Sequence, residues 1–295
     1  MHNKGVLWRT WHYAHAIESR LLQRFEWSLL RKAGIKVSDK TRREIWRRPG
    51  ESEDWVNLTR FISPSERVFL IDVGANVGDF TARASEEYPN LQAVCFEPVT
   101  SNFEALQRKF DGNDAVTIHN SALSNENVQA KMYVGRSNAL CSLEKYSSEG
   151  DHAYGISDRS YALTETVHCH TLDSFALDPG GRRVLMKVDV QGHEEKTLAG
   201  ATATLSLVDV AIIECSFANE YEDIPPSFAS VVHRLAAAGL YPVIFQDYGR
   251  TWSTYAFERD VISVREPLLK NVWYSNYGPR GPKPRAETRR RTGCS

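Results

Sequence analysis

The sequence predicts an α/β fold in which a parallel sheet is covered by helices on both faces. Two observations carry this. Short apolar runs alternate with stretches of helical periodicity from residue 68 to residue 264, and the first run passes through an acid into a glycine turn and a helix. With 295 residues and 42% hydrophobic side chains, the chain can bury a sizeable core without disulfide or metal staples.

The elements follow in order. Apolar and aromatic residues from Leu7 to Leu30 recur at helical spacing and Gly34 suits a stop, so residues 6–33 read as an N-terminal helix. A charged stretch ends at the hinge Pro49-Gly50, and a short helix is expected over residues 54–61. Residues 68–71 form the first strand, which ends at Asp72. Residues 77–88 form a helix with Val77, Phe80, Ala84 and Tyr88 on one face. Residues 91–96 are the second strand. Pro98 opens a helix whose face is Phe103, Leu106 and Phe110, with Gly112 at its end. Residues 116–119 are the third strand.

Residues 124–182 break this rhythm, being polar and rich in Ser, Tyr and His. The alternation resumes with a strand at 184–188, a helix over 194–205 and a strand at 210–213. A helix at 226–238 and a strand at 241–245 follow, and a last strand lies within 254–264, with 261–264 favoured. The domain organisation is therefore a basic helical extension over 1–62, an α/β domain over 63–277 with an insertion at 124–182, and a tail over 278–295. That tail is rich in Pro, Gly and Arg and is expected to be disordered.

The net charge of −1 is unevenly spread. Residues 1–48 carry twelve Lys/Arg against four Asp/Glu, and residues 278–295 carry six against one, which leaves −14 for the body. A basic head can pack on an acidic body or make a peripheral contact with an anionic membrane surface. Nucleic acid is not an expected partner, because the acidic body would repel phosphate. Five scattered cysteines without a CxxC pair, and an N-terminus without the apolar stretch of an export signal, fit the reducing cytoplasm.

In an open α/β sheet, ligands sit beyond the carboxyl ends of the strands. Function is therefore sought at 72–78, Glu97, 120–123, 189–194 and 214–217. Gly74 and Gly78 allow a sharp turn and a close approach, and the following helix offers unpaired N–H groups to an anionic moiety. A GxGxxG fingerprint starting at Gly74 would need glycine at 76 and 79, where Asn76 and Asp79 stand, so nicotinamide is disfavoured. No Gly-Lys-Ser/Thr follows, which removes a Walker phosphate loop. Glu97, ending the second strand, can accept hydrogen bonds from both hydroxyls of a ribose, or can act as a helix N-terminal charge. Asp72 can serve the ligand or cap the turn.

Asp72-Val-Gly-Ala-Asn-Val-Gly-Asp-Phe80, Phe96-Glu-Pro98, Asn120-Ser-Ala-Leu-Ser124, Thr171-Leu-Asp-Ser174, Lys187-Val-Asp-Val-Gln-Gly-His-Glu194 and Ile213-Glu214 resemble the FkbM family of methyltransferases. This resemblance is good over about 68–215 and fades toward 265. It implies a class I Rossmann-like fold, a seven-stranded mostly parallel sheet with helices on both faces, and S-adenosylmethionine as methyl donor. It also implies O-methylation of a hydroxyl on a sugar, glycolipid or other natural product. Gln191 departs from the Glu that many members carry. By the same resemblance, Gly74, Ala75, Asn76 and Gly78 surround the methionine part of the cofactor, Asp72 is a further cofactor-binding candidate, Glu97 holds the ribose, and Ser121 and Ala122 border the adenine.

A hydroxyl must lose its proton as the new bond forms, and Asp189 and His193 are the candidate catalytic residues. His193 titrates near neutrality, which suits a base, but it can equally be a hydrogen-bonded residue at a helix start. Asp189 can orient His193 or hold the cofactor amino group. Lys187 is expected to reach Asp189 or Glu214 in a structural pair. A divalent ion shared by Asp189 and Glu214 is the competing mechanism, although no metal ligand set is assigned. His168-Cys-His170 places both histidines on one strand face and Cys169 on the other, which disfavours zinc. The insertion is the expected substrate lid, where Tyr133, Tyr146, Tyr154, Tyr161 and His152 either line a sugar site or pack the insertion itself.

Overall fold

The computed structural model describes residues 58–135, 141–147, 161–245 and 258–269. The expected N-terminal helix, the hinge at Pro49-Gly50, His152, Tyr154 and the basic tail lie outside the described residues. The chain divides into two units, Met1–Glu51 and Ser52–Ser295, and every described residue belongs to the second.

Strand β1 (Val68–Val73) is the centre of the sheet. Its sequence VFLIDV is buried at every position but Phe69, as expected for a parallel strand covered on both faces. It pairs in parallel with β2 (Leu91–Phe96) on one side and with β7 (Arg183–Val188) on the other. With β3 (Val116–His119), β8 (Val210–Ser216), β9 (Leu240–Phe245) and β10 (Glu258–Arg265), these strands form a seven-stranded sheet in the order β3-β2-β1-β7-β8-β10-β9. Only β10 is antiparallel to its neighbours. This is the mostly parallel, Rossmann-like sheet that the resemblance implies.

Successive side chains of a strand point to opposite faces, and the core divides accordingly. Ile71, Val73, Phe96, Met186, Val188 and Ile213 pack on one face. Val68, Leu70, Cys95, Leu185 and Ile212 pack on the other, against Ala84 of helix α1 (Asp79–Glu87) and Leu106 of α2 (Thr100–Lys109). Helix α5 (Phe228–Ala237) inserts Val231 and Leu235 into the first of these layers.

The expected single helix over 194–205 is two short ones, α3 (Glu194–Ala199) and α4 (Thr202–Leu205). The break falls at Gly200, where a methyl group would come within 2.0 Å of the Ser124 carbonyl oxygen. The Asp173 carboxylate then accepts hydrogen bonds from Ala203 N, Thr204 N and the Thr204 hydroxyl, at 2.8–2.9 Å, and so caps α4 from outside. The final strand begins at Glu258 rather than Val261, because its full length pairs with β8 and β9.

Within the insertion, β5 (Val128–Gly135) and β6 (Tyr161–His170) pair antiparallel, and β4 (Ala122–Leu123) completes a separate three-stranded sheet. Among the described residues, no helix is long and apolar enough to cross a membrane.

Candidate cofactor and active site

The chain leaves β1 toward β2 on one side and reaches β7 on the other. The carboxyl ends of β1 and β7 therefore form the switch point where open α/β sheets bind ligands. A cavity of about 500 Å³ lies there, within the range typical of small-molecule sites. Gly74, Ala75, Asn76, Glu97, Ser121, Ala122, Asp189 and His193 all line it. Asp72 and Gly78 are not among the lining residues.

The turn after β1 is fixed by backbone bonds. Gly74 N and Ala75 N donate to the Phe96 carbonyl, each at 3.0 Å. Gly74 has φ +74°, and a methyl group there would sit 2.0 Å from the carbonyl oxygen of Asp189. Its missing Cβ therefore lets β1 and β7 converge at the cavity floor, rather than opening space for a ligand. Gly78 serves packing as well. At φ +82°, its added methyl would meet Leu106 and Phe110 at 2.5 and 2.7 Å, so this glycine closes α1 onto α2. The side of Gly78 that would carry a side chain thus faces helix packing behind the turn.

Glu97 is buried at the end of β2. Its Oε2 accepts the Asn76 N–H at 2.8 Å and its Oε1 accepts the Val99 N–H at 2.9 Å. Burial pushes the carboxyl up to about 7, against the pull of these N–H groups and of Asn102. Asn102 is a third donor to this carboxylate, which lines the cavity and has acceptor capacity left for a ligand hydroxyl. Asn102, which also lines the cavity from the first turn of α2, was not legible as a site residue because no motif or periodicity singles it out. The Oδ1 of Asn76 is buried without a hydrogen-bond partner among the described residues. An orphaned acceptor, a doubly anchored carboxylate and a cavity of this size together fit an adenosyl amino acid.

Asp72 lies fully buried behind the turn. Its Oδ2 accepts the Thr81 hydroxyl at 2.6 Å, which ties α1 to the end of β1. Burial raises its carboxyl, opposed by the charge of Lys187, its register partner on β7. Asp72 is thus an anchor and a counter-charge behind the turn, and it does not line the cavity.

Lys187 Nζ donates to Asp189 Oδ2 at 2.9 Å, the structural pairing expected of it. Burial raises the Asp189 carboxyl, but Lys187 and a hydrogen bond from Gln191 overcome this and hold it below its ordinary range. Glu214 goes the other way: burial and the neighbouring acids Asp189, Glu258 and Asp260 push it well up. Gln191 Nε2 bridges the two carboxylates, at 3.0 Å from Asp189 Oδ1 and 2.6 Å from Glu214 Oε2. Gln191, Glu214 and Glu258 all line the cavity with Asp189.

His193 is buried at the start of α3 with both ring nitrogens engaged. Nδ1 lies 2.7 Å from Glu144 Oε1, and Nε2 lies 2.9 Å from the Ser124 hydroxyl. Glu144 also accepts Lys196 Nζ at 2.9 Å. Asp189 is not its partner in these bonds. The ring therefore joins the insertion to the main sheet, with both nitrogens already hydrogen-bonded. No periodicity or motif marked Glu144, since it stands in an irregular segment.

Cys141 and Leu143 cover the cavity from the insertion, together with Met132 of β5. The expected aromatic site is instead packing. Tyr133 and Tyr161 have ring centroids 4.8 Å apart, Tyr146 stacks on Tyr221 at 4.7 Å, and none of these lines the cavity. The Ser121 hydroxyl lies 2.8 Å from His170 Nδ1 at the other end of the cavity. His168 and His170 share one face of β6 while Cys169 is buried beneath it. No group of three or more potential metal ligands occurs among the described residues.

Residues 72–240 match the family model described as the methyltransferase FkbM domain. The chain belongs to the FkbM methyltransferase family. This family uses S-adenosylmethionine as its methyl donor. A curated relative, Methyltransferase 1 of Beauveria bassiana (strain ARSEF 2860), is 26% identical over 168 residues, which is 50% of this chain. The chain spans 64% of the length of that relative. Among solved structures, the Methanococcus jannaschii fibrillarin pre-rRNA processing protein matches at 8% identity and a TM-score of 0.37, covering 70% of this chain and 69% of that one. Human N-acetylserotonin methyltransferase, solved in complex with SAM, matches at 10% identity and a TM-score of 0.36, covering 77% and 54%.

Proposed function

We propose that this FkbM-family chain is an S-adenosylmethionine-dependent O-methyltransferase acting on a hydroxyl of a sugar, glycolipid or other natural product. The observation that carries the reading is Glu97, anchored through both oxygens and lining the same cavity as Asp189 and Glu214. When bound, the cofactor supplies an electrophilic methyl group on a sulfonium. Glu97 accepts the two ribose hydroxyls, Asn76 Oδ1 takes a donor from the amino-acid part, and Ser121 and Ala122 border the base. Asp189, kept ionised by Lys187, favours the positive charge of a bound donor. Of the two cavity acids, Glu214 has the higher proton affinity, so it is the stronger base once ionised and the group placed to take the acceptor's proton. Holding the acceptor oxygen in line with the methyl group supplies much of the remaining rate, roughly 7–11 kcal/mol at best.

The test is a methyl-transfer screen over glycans, glycolipids and small natural products, run with and without chelator. Transfer to a hydroxyl that persists with chelator supports the reading; transfer only to nitrogen or carbon acceptors overturns it. A peripheral membrane contact through residues 1–48 is a further part of the proposal. Liposome flotation of the intact chain against one lacking those residues tests it, and equal flotation of the two would remove it.

A further inference from the structure

Gln191 has all its side-chain hydrogen-bonding groups committed, and they point in two directions. On one side its amide nitrogen donates to Asp189 Oδ1 and Glu214 Oε2, at 3.0 and 2.6 Å. On the other its Oε1 accepts the Tyr146 hydroxyl at 2.9 Å, and its backbone carbonyl accepts the Ser142 hydroxyl. Tyr146 and Ser142 belong to the cover segment 141–147, while Asp189 and Glu214 follow or end strands of the main sheet.

The backbone is shaped for this position. Gln191 has φ +55°, a conformation uncommon for a residue with a side chain, and Gly192 follows at φ +97°. A methyl group at 192 would fall 2.5 Å from the Tyr221 ring, on which Tyr146 stacks. Strain of this kind persists only where the surroundings over-determine it. Here the over-determining contacts are the acid pair on one side and the tyrosine stack on the other.

We propose that Gln191 is a positioning residue, whose amide sets the spacing of the Asp189–Glu214 pair and links that pair to the seating of segment 141–147. The inference rests on the reading of the cavity as a methyl-transfer site for what the pair does there. The bridge itself does not depend on that reading. Amide N–H groups aimed at two carboxylates favour their ionised forms, so without them the pair binds its proton more tightly. The other charged groups facing the pair are Lys187 and Asp72 from the central strands, Glu194 from α3, and Glu258 and Asp260 from β10. Only Lys187 among them is a cation, so the amide is the chief neutral group that separates the acids.

The test uses full-length protein labelled with ¹³C at the Asp and Glu carboxyls, titrated by NMR, with the pair assigned through Asp189→Asn and Glu214→Gln. Gln191→Met keeps side-chain length and removes both donors and the acceptor. The expected result is a proton affinity of the pair raised about tenfold or more in Gln191→Met. Tyr146→Phe, which loses only the far partner, should shift it the same way by less. Unchanged or lowered proton affinity in Gln191→Met overturns the proposal. If that variant does not fold, an unchanged titration in Tyr146→Phe overturns it instead. Binding of S-adenosylhomocysteine by the wild type, measured on the same samples, reports on the methyltransferase reading separately.

Discussion

The backbone N–H of Asn76 donates to Glu97 Oε2 at 2.8 Å, joining the turn after β1 to the end of β2 across the mouth of the cavity. This bond orients the Glu97 carboxylate without using its remaining lone pairs. It also makes the turn and the second strand one unit, so a ligand that meets either must meet both.

Cofactor binding should release protons near neutral pH. Glu97 sits at about 7 in the ligand-free protein because burial penalises its charge. Two ribose hydroxyls donating to the carboxylate favour the ionised form and lower that value. Calorimetry in two buffers of different ionisation enthalpy should show a fractional proton released per site at pH 7, and none for Glu97→Gln.

The same burial gives a pH dependence of stability. The folded, ligand-free protein holds the Glu97 proton up to about pH 7, whereas the unfolded chain releases it near 4.5. Glu194 is raised to a similar value. Stability contributed by keeping these groups neutral is complete below about pH 4.5 and is lost as pH rises through about 7. Urea unfolding of the ligand-free protein at pH 6 and pH 8 should give the lower value at pH 8, with the gap narrowed in Glu97→Gln.

Glu144 shows the opposite sign. Burial raises its carboxyl, but hydrogen bonds from His193 and Lys196 outweigh this and hold it below its ordinary value. Its contribution is therefore present above about pH 4.5 and is lost as pH falls through the lower folded value. Glu144→Ala should cost about 1–3 kcal/mol at pH 7, since it leaves the buried Nδ1 of His193 without its partner. Amide exchange in 141–147 should quicken in that variant, and its stability deficit should shrink in acid.

Lys187 is the cation between Asp72 and Asp189. Lys187→Met leaves the buried Asp72 carboxylate and the half-buried Asp189 carboxylate without it and should destabilise the protein on the order of 3 kcal/mol. Adding Asp72→Asn to that variant should recover part of the loss, which a double-mutant cycle by chemical denaturation measures.

Gly78→Ala should cost about 2 kcal/mol or more, from the left-handed backbone and the collision with Leu106 and Phe110. Where the variant folds, its affinity for S-adenosylmethionine should stay near the wild type's. A loss of affinity out of proportion to the thermal shift would return Gly78 to the cofactor site.

The strands and helices of the main sheet were legible because burial on both faces leaves unbroken apolar runs, as at Val68–Ile71, and because Glu97 stands where a strand must end. Spacing could not tell which way a group faces once the chain turns. Asp72 and Gly78 belong to the same short motif as Gly74 and Asn76, yet they point into packing while the others line the cavity. The break at Gly200 depends on the distant Ser124 carbonyl, and the Glu144 contact to His193 spans 49 residues. Such long-range contacts leave no periodic trace. Tyr133, Tyr146 and Tyr161 had the right chemistry for a sugar site, but stacking among themselves and on Tyr221 absorbs them.

The central claim is that Glu97 holds the ribose of S-adenosylmethionine in this cavity. Titration calorimetry of the purified chain with S-adenosylmethionine, repeated for Glu97→Ala, tests it most directly. The account predicts one site per chain in the wild type and an affinity about 10-fold or more weaker in Glu97→Ala, as expected for hydrogen bonds to a charged group worth about 1.5–3 kcal/mol. No binding by the folded wild type, or equal affinity in the two proteins, would contradict it.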